Sequence, residues 1–339
     1  MKILCCEVKR KCNDLDWEGD YLRNALSDQT DVIFSENVVN EYQDDLSEIE
    51  VLSVFVHSIV DKTMIDKMPS LKLIVTRSTG FDHVDVAYCQ QKGIVVCNVP
   101  FYGENSVAEY AFSLLMALAR KTYEARDRMI RSNYEVDDLM GFDLKDKTMG
   151  IVGGGHIGIY AAKIAKGFSM RVLVFDVKPQ ENLAKEFGFE YVDLDTLYKQ
   201  ADIISLHVPL IPPTRHMINR EAFTKMKDGV VLVNTARGGV VDTTAMVEAL
   251  DSGKLAGACI DVLEEEELLT EEKKEVENIQ EIEKLRLALE GHILMDHPRV
   301  VMTFHNAFNT IEGRKRILDT TVENIKGFVS GQIVNQVKV

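Results

Sequence analysis

The chain has 339 residues, enough for two domains of about 150 residues each. Its 46% hydrophobic and 27% charged residues are typical of globular proteins and exclude a disordered or collagen-like chain. A net charge of −15 at pH 7 opposes binding to nucleic acid or to an anionic membrane. Six cysteines are too few for a disulfide scaffold, and no apolar run approaches the ~20 residues of a membrane helix. The N-terminus lacks a signal-peptide pattern, so these features together predict a reduced cytoplasmic protein with no membrane segment.

Short runs rich in valine and isoleucine recur along the chain, separated by stretches with helical spacing. Such runs predict buried parallel strands joined by helices. The first series covers residues 3–8, 32–34, 51–56, 71–76 and 94–99. The second series covers residues 148–152, 171–175, 203–207, 230–234, 256–261 and 300–304. We therefore predict an α/β chain with two doubly wound parallel-sheet domains.

The two domains are predicted to join near residues 100–105. Only one further helix pattern follows His305, so the C-terminus is predicted to return and complete the first domain. The predicted boundaries are 1–102 plus 308–339 for a substrate domain and 103–307 for a Rossmann domain.

Two helical stretches have unusual composition. The stretch 107–118 is too apolar for a fully wetted helix, which leaves core packing and a domain or subunit contact as alternatives. The stretch 264–290 is dense in glutamate and lysine, with apolar residues at helical spacing. It predicts an amphipathic, mostly solvated insertion.

A glycine-rich turn opens the second series of strands. Gly153, Gly155 and Gly158 fit the pattern G-x-G-x-x-G between a predicted strand and a predicted helix. These glycines allow a tight turn, close approach of a pyrophosphate and packing of the helix on the strand. Asp176 ends the next strand, where a carboxylate accepts hydrogen bonds from ribose hydroxyls and repels the extra phosphate of NADP. The turn therefore predicts NAD as the cofactor, although Lys178 lies close enough to soften that repulsion.

Polar side chains follow three strands of the second series. Arg237 follows the strand 230–234, acidic residues at 264–266 follow the next strand, and His305 follows the last. Ligands of open α/β sheets bind at this carboxyl edge. A cation for a carboxylate and an acid for a carbonyl oxygen are what reduction of a 2-oxo acid requires, and no metal is needed.

These motifs together resemble the D-isomer-specific 2-hydroxyacid dehydrogenase family, most closely its D-lactate dehydrogenase branch. The resemblance rests on GGGHIG at 153–158, SLHVPL at 205–210, NTARGGVVD at 234–242 and HNAF at 305–308. The resemblance extends from about residue 71 to residue 309. The first 70 residues match the family only in pattern. The resemblance implies a Rossmann NAD-binding domain inserted in a flavodoxin-like substrate domain.

The resemblance also implies a catalytic set. Arg237 would bind the substrate carboxylate and polarise its carbonyl, and His305 would donate the proton when the 2-oxo acid is reduced. Glu266, in the acidic run after Asp261, would bond the second imidazole nitrogen and favour the charged imidazole. The neighbouring alternatives for this acid are Glu264, Glu265 and Glu267.

The remaining implied contacts belong to cofactor and substrate. The cofactor residues besides the glycines and Asp176 are His156 and Ile157 along the pyrophosphate, Val208 and Pro209 by the adenine, Thr214 near the phosphates, and Thr235, Ala236 and Asp261 on the nicotinamide side. Backbone N–H groups at Thr79 and Gly80 would hold the substrate carboxylate, and Tyr102 would cover it. Phe308 would narrow the pocket toward a short side chain.

Glu104 and the long insertion at residues 264–290 depart from the family pattern.

The sequence thus predicts an NAD-dependent enzyme that interconverts a short 2-oxo acid, pyruvate first, and its D-2-hydroxy acid, D-lactate. The apolar helix and the family pattern predict a homodimer. An NAD-sensing binding protein, similar to the corepressors that resemble this family, is the alternative.

Overall fold

The computed structural model describes residues 1–8, 17–27, 31–264 and 279–337. The chain divides into two compact units. The first comprises Met1–Tyr102 and Thr310–Val339, and the second comprises Gly103–Asn309. The second unit is therefore an insertion in the sequence of the first.

The first unit is a parallel α/β structure. Its strands are β1 (Lys2–Cys5), β2 (Asp31–Phe34), β3 (Val51–Val54), β4 (Leu73–Thr76) and β5 (Val95–Cys97). Its helices are α1 (Trp17–Ala25), α2 (Lys62–Asp66), α3 (Val86–Lys92) and, from the C-terminal part, α12 (Ile311–Val329). Over the described residues the strand order is β2-β1-β3-β4-β5 with every neighbouring pair parallel. This is the flavodoxin-like order.

The second unit carries the larger sheet. Its strands are β6 (Thr148–Val152), β7 (Arg171–Phe175), β8 (Glu190–Tyr191), β9 (Ile203–Leu206), β10 (Val230–Asn234), β11 (Leu255–Ile260) and β12 (Val300–Met302). Its helices are α4 (Glu104–Arg120), α5 (Thr122–Ile130), α6 (His156–Gly167), α7 (Glu181–Phe187), α8 (Leu194–Gln200), α9 (Arg220–Lys225), α10 (Thr243–Asp251) and α11 (Ile279–Asp296). In the described part of this unit the order is β12-β11-β10-β9-β6-β7-β8, all parallel. The chain adds β7 and β8 on one side of β6 and then crosses over to add β9, β10, β11 and β12 on the other side, as in Rossmann folds. The predicted fold class is confirmed.

The central strands are apolar throughout because helices cover both faces of the sheet. Successive side chains of a strand point to opposite faces, so Ile151 packs in one core cluster and Val152 in another. Both side chains are fully buried. Burying one such side chain stabilises the fold by about 1.5–3 kcal/mol, which explains why the sequence shows continuous apolar runs rather than alternation.

The two unusual helical stretches have different outcomes. Helix α4 buries Ala108, Ala111 and Leu115 in the core of the second unit, so core packing accounts for its apolar composition. Helix α11 covers the last part of the predicted insertion and exposes half of the Ile282 and Leu289 side chains to solvent. Residues 265–278 of the insertion lie outside the described residues.

The described cysteines are buried thiols. Cys5, Cys6, Cys89, Cys97 and Cys259 are unpaired and buried. Burial raises the pKa of the Cys97 thiol to about 11, which keeps it protonated and unreactive. A membrane-spanning helix is not found among the described residues.

Candidate active site

The glycine turn after β6 has the backbone that a dinucleotide requires. Gly153 has a φ of +103°, a left-handed conformation that favours glycine. A Cβ at Gly158 would collide with the carbonyl oxygen of Gly153, so this glycine lets α6 pack directly on the turn. A Cβ at Gly155 would meet no atom within 4 Å, so open space lies beside the first turn of α6. The N-terminal N–H groups and dipole of that helix favour a phosphate there.

Asp176 closes the turn from the next strand. Its carboxylate accepts the Gly154 N–H at 2.7 Å and the Lys178 N–H at 2.7 Å. A carboxylate has about four acceptor positions, so these bonds leave capacity for ribose hydroxyls.

Glu104 and His156 meet at the starts of two neighbouring helices. Oε1 of Glu104, in the first turn of α4, lies 3.0 Å from Nδ1 of His156, the first residue of α6. The residue predicted to run along the pyrophosphate therefore has an acidic neighbour.

A row of backbone hydrogen bonds continues the ladder beyond the ends of β10, β11 and β12. The N–H of Asp261 donates to the carbonyl of Asn234 at 3.0 Å, and the N–H of His305 donates to the carbonyl of Asp261 at 2.7 Å. The strand ends that carry Arg237 and His305 therefore flank Asp261 on one edge of the sheet. This is the edge at which open α/β sheets bind ligands.

The Asp261 carboxylate holds the loop that contains His305. It accepts the Thr303 hydroxyl at 2.6 Å and the N–H groups of Asn306 and Ala307 at 2.9 Å each. His305 has a φ of +45°, a conformation that costs about 1 kcal/mol for a residue with a side chain. The carboxylate compensates that strain, because the left-handed turn directs both following N–H groups toward it.

Arg237 stands on a loop braced by Asn234. The buried Asn234 side chain donates to the Arg237 carbonyl at 3.0 Å and accepts the Ala236 N–H at 3.1 Å. The guanidinium donates to the Ala236 carbonyl at 2.7 Å. The Asn234 bonds hold the backbone of the loop, and one further bond ties the guanidinium to the preceding carbonyl.

Residues 112–307 match the family model described as the D-isomer specific 2-hydroxyacid dehydrogenase, NAD binding domain. The D-lactate dehydrogenase of Escherichia coli (strain K12) is 37% identical over 285 residues, which are 84% of each chain. The chain belongs to the D-isomer-specific 2-hydroxyacid dehydrogenase family.

Two further relatives bear on this dehydrogenase. The structure of D-lactate dehydrogenase from Aquifex aeolicus, complexed with NAD and lactic acid, superposes with a TM-score of 0.84 at 38% identity, covering 98% of this chain and 96% of that one. The glyoxylate reductase of Thermococcus litoralis is 36% identical over 294 residues, 84% of this chain and 82% of the relative. This chain is an NAD-dependent oxidoreductase similar to D-lactate dehydrogenases.

The residues of this dehydrogenase fit the dinucleotide. Thr235 Oγ1 and His207 Nδ1 are buried polar atoms with no hydrogen-bond partner among the described residues, and both lie just after strands at the ligand edge. Val208, Ile157 and Ala236 are partly buried beside the core clusters. The cofactor contacts of these residues stay predictions.

Thr214 is used inside its own loop. Its hydroxyl donates to the Pro209 carbonyl at 2.6 Å and accepts the Ile211 N–H at 2.9 Å. The structure therefore gives Thr214 a loop-closing role, and its predicted phosphate contact stays a prediction.

His207 is a neutral imidazole. Its side chain is partly buried, and its Nε2 lies 2.9 Å from the Ser205 hydroxyl. Burial lowers its pKa to about 4, because the charged form is poorly solvated. It is therefore unsuited to donating protons at neutral pH.

The predicted relay acid falls in the acidic run that follows Asp261. Glu266 lies outside the described residues, as do Glu265 and Glu267. Glu264 is described, and its carboxylate bonds His216 rather than His305. This pair escaped sequence reasoning, because a hydrogen bond between side chains 48 positions apart leaves no local pattern.

The predicted substrate loop lies in the first unit. Thr79 donates its hydroxyl to the Val99 carbonyl at 2.9 Å, and its own carbonyl accepts the Asn98 amide at 2.8 Å. The Gly80 carbonyl accepts the Ser78 hydroxyl at 2.6 Å. These three hydrogen bonds hold the loop within the first unit.

The two aromatic residues of the predicted substrate pocket belong to different units. Tyr102 closes the first segment of the first unit, where its carbonyl accepts Nε of Arg316 at 2.7 Å. Phe308 lies in the second unit, with its ring centroid 6.4 Å from that of His305 in an edge-to-face arrangement. An aromatic wall beside the imidazole limits the space near the predicted proton donor.

Proposed function

We propose that the chain interconverts pyruvate and D-lactate, as the preferred pair among short 2-oxo and D-2-hydroxy acids. The observation that carries this proposal is the hydrogen-bonded row from Asn234 through Asp261 to His305, which sets Arg237 and the imidazole on one sheet edge with the glycine turn. The preference for a short side chain is supported by Phe308 beside His305. It is also supported by the lactic acid named for the relative from Aquifex aeolicus.

The proposed chemistry assigns one task to each side chain. When bound, the dinucleotide supplies the hydride that the 2-oxo acid accepts. Arg237 binds the substrate carboxylate and draws electron density from the carbonyl, which favours hydride attack. His305 donates a proton to the forming alkoxide and takes it back in the reverse direction. Glu266, by resemblance, accepts from the second imidazole nitrogen and favours the protonated ring.

A panel of 2-oxo acids tests the substrate. Purified protein is assayed with NADH against pyruvate, glyoxylate, 2-oxobutyrate and phenylpyruvate, and the chirality of each product is determined except for glycolate, which has no stereocentre. We expect the highest kcat/KM for pyruvate and a D product. Glyoxylate carries the smallest side chain, so a higher kcat/KM for glyoxylate would replace pyruvate as the substrate, as the name of one relative would suggest.

A single substitution tests the proton donor. His305→Gln keeps a polar side chain but cannot donate a proton as an imidazolium does, so turnover should fall by about 100-fold or more. NADH should bind with an unchanged Kd, which fluorescence titration measures. His57→Gln is the matched control, because His57 is exposed in the first unit and has no assigned role. Full activity of His305→Gln would overturn the assignment, and NADH binding without turnover in the unmodified chain would favour an NAD-sensing protein.

We also infer a homodimer, with a second copy of the chain covering an apolar surface on the second unit. Large apolar side chains that are 53–82% exposed lie along one segment after α4: Tyr123, Met129, Ile130, Tyr134, Val136 and Met140. The segment is ordered against α5, since the Arg128 guanidinium bonds the Asp138 carboxylate and lowers its pKa to about 2. A concentration of exposed large apolar side chains in one segment supports a protein–protein contact there.

Sedimentation tests the dimer. The unmodified protein should have twice the chain mass of 38.2 kDa, and Met129→Asp with Tyr134→Asp should give the monomer. A monomeric unmodified chain would contradict the inference.

The buried thiols support the cytoplasmic location that the sequence predicts, because a reducing compartment keeps thiols free.

A further inference from the structure

Glu264 and His216 form a side-chain pair outside the predicted catalytic set. Nε2 of His216 lies 2.6 Å from Oε1 of Glu264, whose side chain is only 8% exposed. The Arg215 guanidinium lies 3.3 Å from the same oxygen, and the Thr243 hydroxyl donates to Oε2 at 3.5 Å. A carboxylate is buried at high cost unless such partners satisfy it. The buried Glu264 carboxylate therefore depends on the loop that carries Arg215 and His216.

The backbones of the same residues enclose the glycines that follow Arg237. A Cβ at Gly238 would collide with the backbone of Leu263 and Glu264, so these backbones are in direct contact. On the other side, the N–H of His216 donates to the Gly239 carbonyl at 2.9 Å. The Gly238–Gly239 segment is therefore held between Glu264 and His216.

The side-chain bond closes this arrangement into a ring. Starting at Glu264, the ring runs through the backbone contact to Gly238 and along the chain to Gly239. The Gly239 carbonyl then accepts the His216 N–H, and the His216 imidazole bonds the Glu264 carboxylate. His216 has a φ of +48°, a strained conformation that persists where surrounding contacts fix it. Arg237 is the residue immediately before the enclosed glycines.

We propose that Glu264 and His216 are positioning residues for Arg237. Their side-chain bond clasps the loop at Gly238 and Gly239, and so fixes the direction in which the guanidinium leaves the backbone. The inference rests on the proposed function of Arg237 as the group that binds the substrate carboxylate. Misplacing a binding group by about 1 Å costs up to 100-fold in rate, so a clasp of this kind has a measurable effect.

Two substitutions of His216 separate the effect of its hydrogen bond from the effect of the size of its side chain. His216→Phe keeps a ring but removes the donor to Glu264, whereas His216→Gln keeps a donor of similar reach. His292→Phe is the matched control, since His292 is exposed on α11 and contacts none of the clasp. Each protein is assayed with pyruvate and NADH, and its NADH Kd is measured by fluorescence.

If the clasp positions Arg237, its loss should change the KM for pyruvate more than the Kd for NADH. In His216→Phe the KM for pyruvate should rise about tenfold, while the NADH Kd changes less than about twofold, because the glycine turn is not part of the ring. His216→Gln should recover most of the loss, and His292→Phe should match the unmodified protein. An unchanged KM in His216→Phe, or equal changes in KM and NADH Kd, would overturn the proposal.

Hydrogen exchange tests the clasp without reference to catalysis. The amides of Val241 and Ile218 donate to the carbonyls of Gly238 and Val240 at 3.0 and 3.1 Å. Both should exchange faster in His216→Phe than in His216→Gln. If the unmodified chain fails to reduce any 2-oxo acid, the proposed function fails, and the exchange rates still decide the clasp. Unchanged exchange at both amides would show that the pair does not hold the loop.

Discussion

The N–H of His305 donates to the carbonyl of Asp261 at 2.7 Å, and the carboxylate of the same aspartate accepts the N–H groups of the two residues that follow. One residue immediately after β11 thus holds the backbone at the predicted proton donor and at the two residues that follow it. The family resemblance predicts that Asp261 contacts the nicotinamide side of the cofactor. The structure adds that its carboxylate organises the His305 loop.

Removing this carboxylate should disable the site without unfolding the protein. Asp261→Ala leaves the buried N–H of Ala307 without its acceptor, at a cost of about 1–3 kcal/mol, and it also removes the bond from the N–H of Asn306, an exposed residue. We expect kcat to fall about 100-fold, because the strained His305 backbone relaxes. Thr303→Val is the control, since it removes only the hydroxyl bond to the same carboxylate. Asp261→Ala with kcat within twofold of the unmodified protein would contradict this role.

Two glycines of the turn should respond differently when each is replaced by alanine. Gly155→Ala adds a Cβ that meets no protein atom and has a φ of −73° that alanine adopts freely, so thermal stability should not change. Its NADH Kd should rise at least about tenfold, because the methyl group occupies the space proposed for the pyrophosphate. Gly158→Ala should lower the Tm, because its Cβ collides with the Gly153 carbonyl. Calorimetry and NADH titration of both variants check the pair, and tight NADH binding by Gly155→Ala would place the phosphates elsewhere.

Asp176 should govern the choice between NADH and NADPH. Its carboxylate stands at the end of β7 beside the exposed Val177 and Lys178. Asp176→Ser removes the repulsion of a 2′-phosphate, so the ratio of kcat/KM for NADPH to that for NADH should rise at least about tenfold. Lys178→Ala should shift the same ratio in the opposite direction. An unchanged ratio in Asp176→Ser would mean that the adenosine ribose lies away from this carboxylate.

His207 should make the free energy of unfolding depend on pH. Its pKa is lowered to about 4 in the folded chain, against an ordinary value of 6.5. Between these values the unfolded chain binds a proton that the folded chain does not, so stability is full above pH 6.5 and falls as the pH decreases toward 4. The loss attributable to this residue is about 3 kcal/mol. Urea unfolding of the protein and of His207→Asn at pH 7 and pH 4.5 measures it, and identical pH dependence in both would contradict the assignment.

Local patterns predicted the parts of this fold that depend on neighbouring residues. The valine-rich runs predicted the strands, because strands covered on both faces must be apolar along their whole length. The glycine spacing predicted the turn at 153–158, because φ, Cβ space and helix packing restrict each position separately. Helix α4, in contrast, left two readings open, since an apolar helix packs equally well in a core or against a second subunit.

The sequence by itself determined the class of fold, the dinucleotide turn and the strand ends that carry Arg237 and His305. Each of these follows from interactions within a few residues, or from the rule that parallel strands end at one edge. Only the tertiary structure decided that Asp261 holds the His305 loop and that Glu264 bonds His216. Those hydrogen bonds join residues more than 40 positions apart, and their partners are chosen by the packing of loops that no periodicity records.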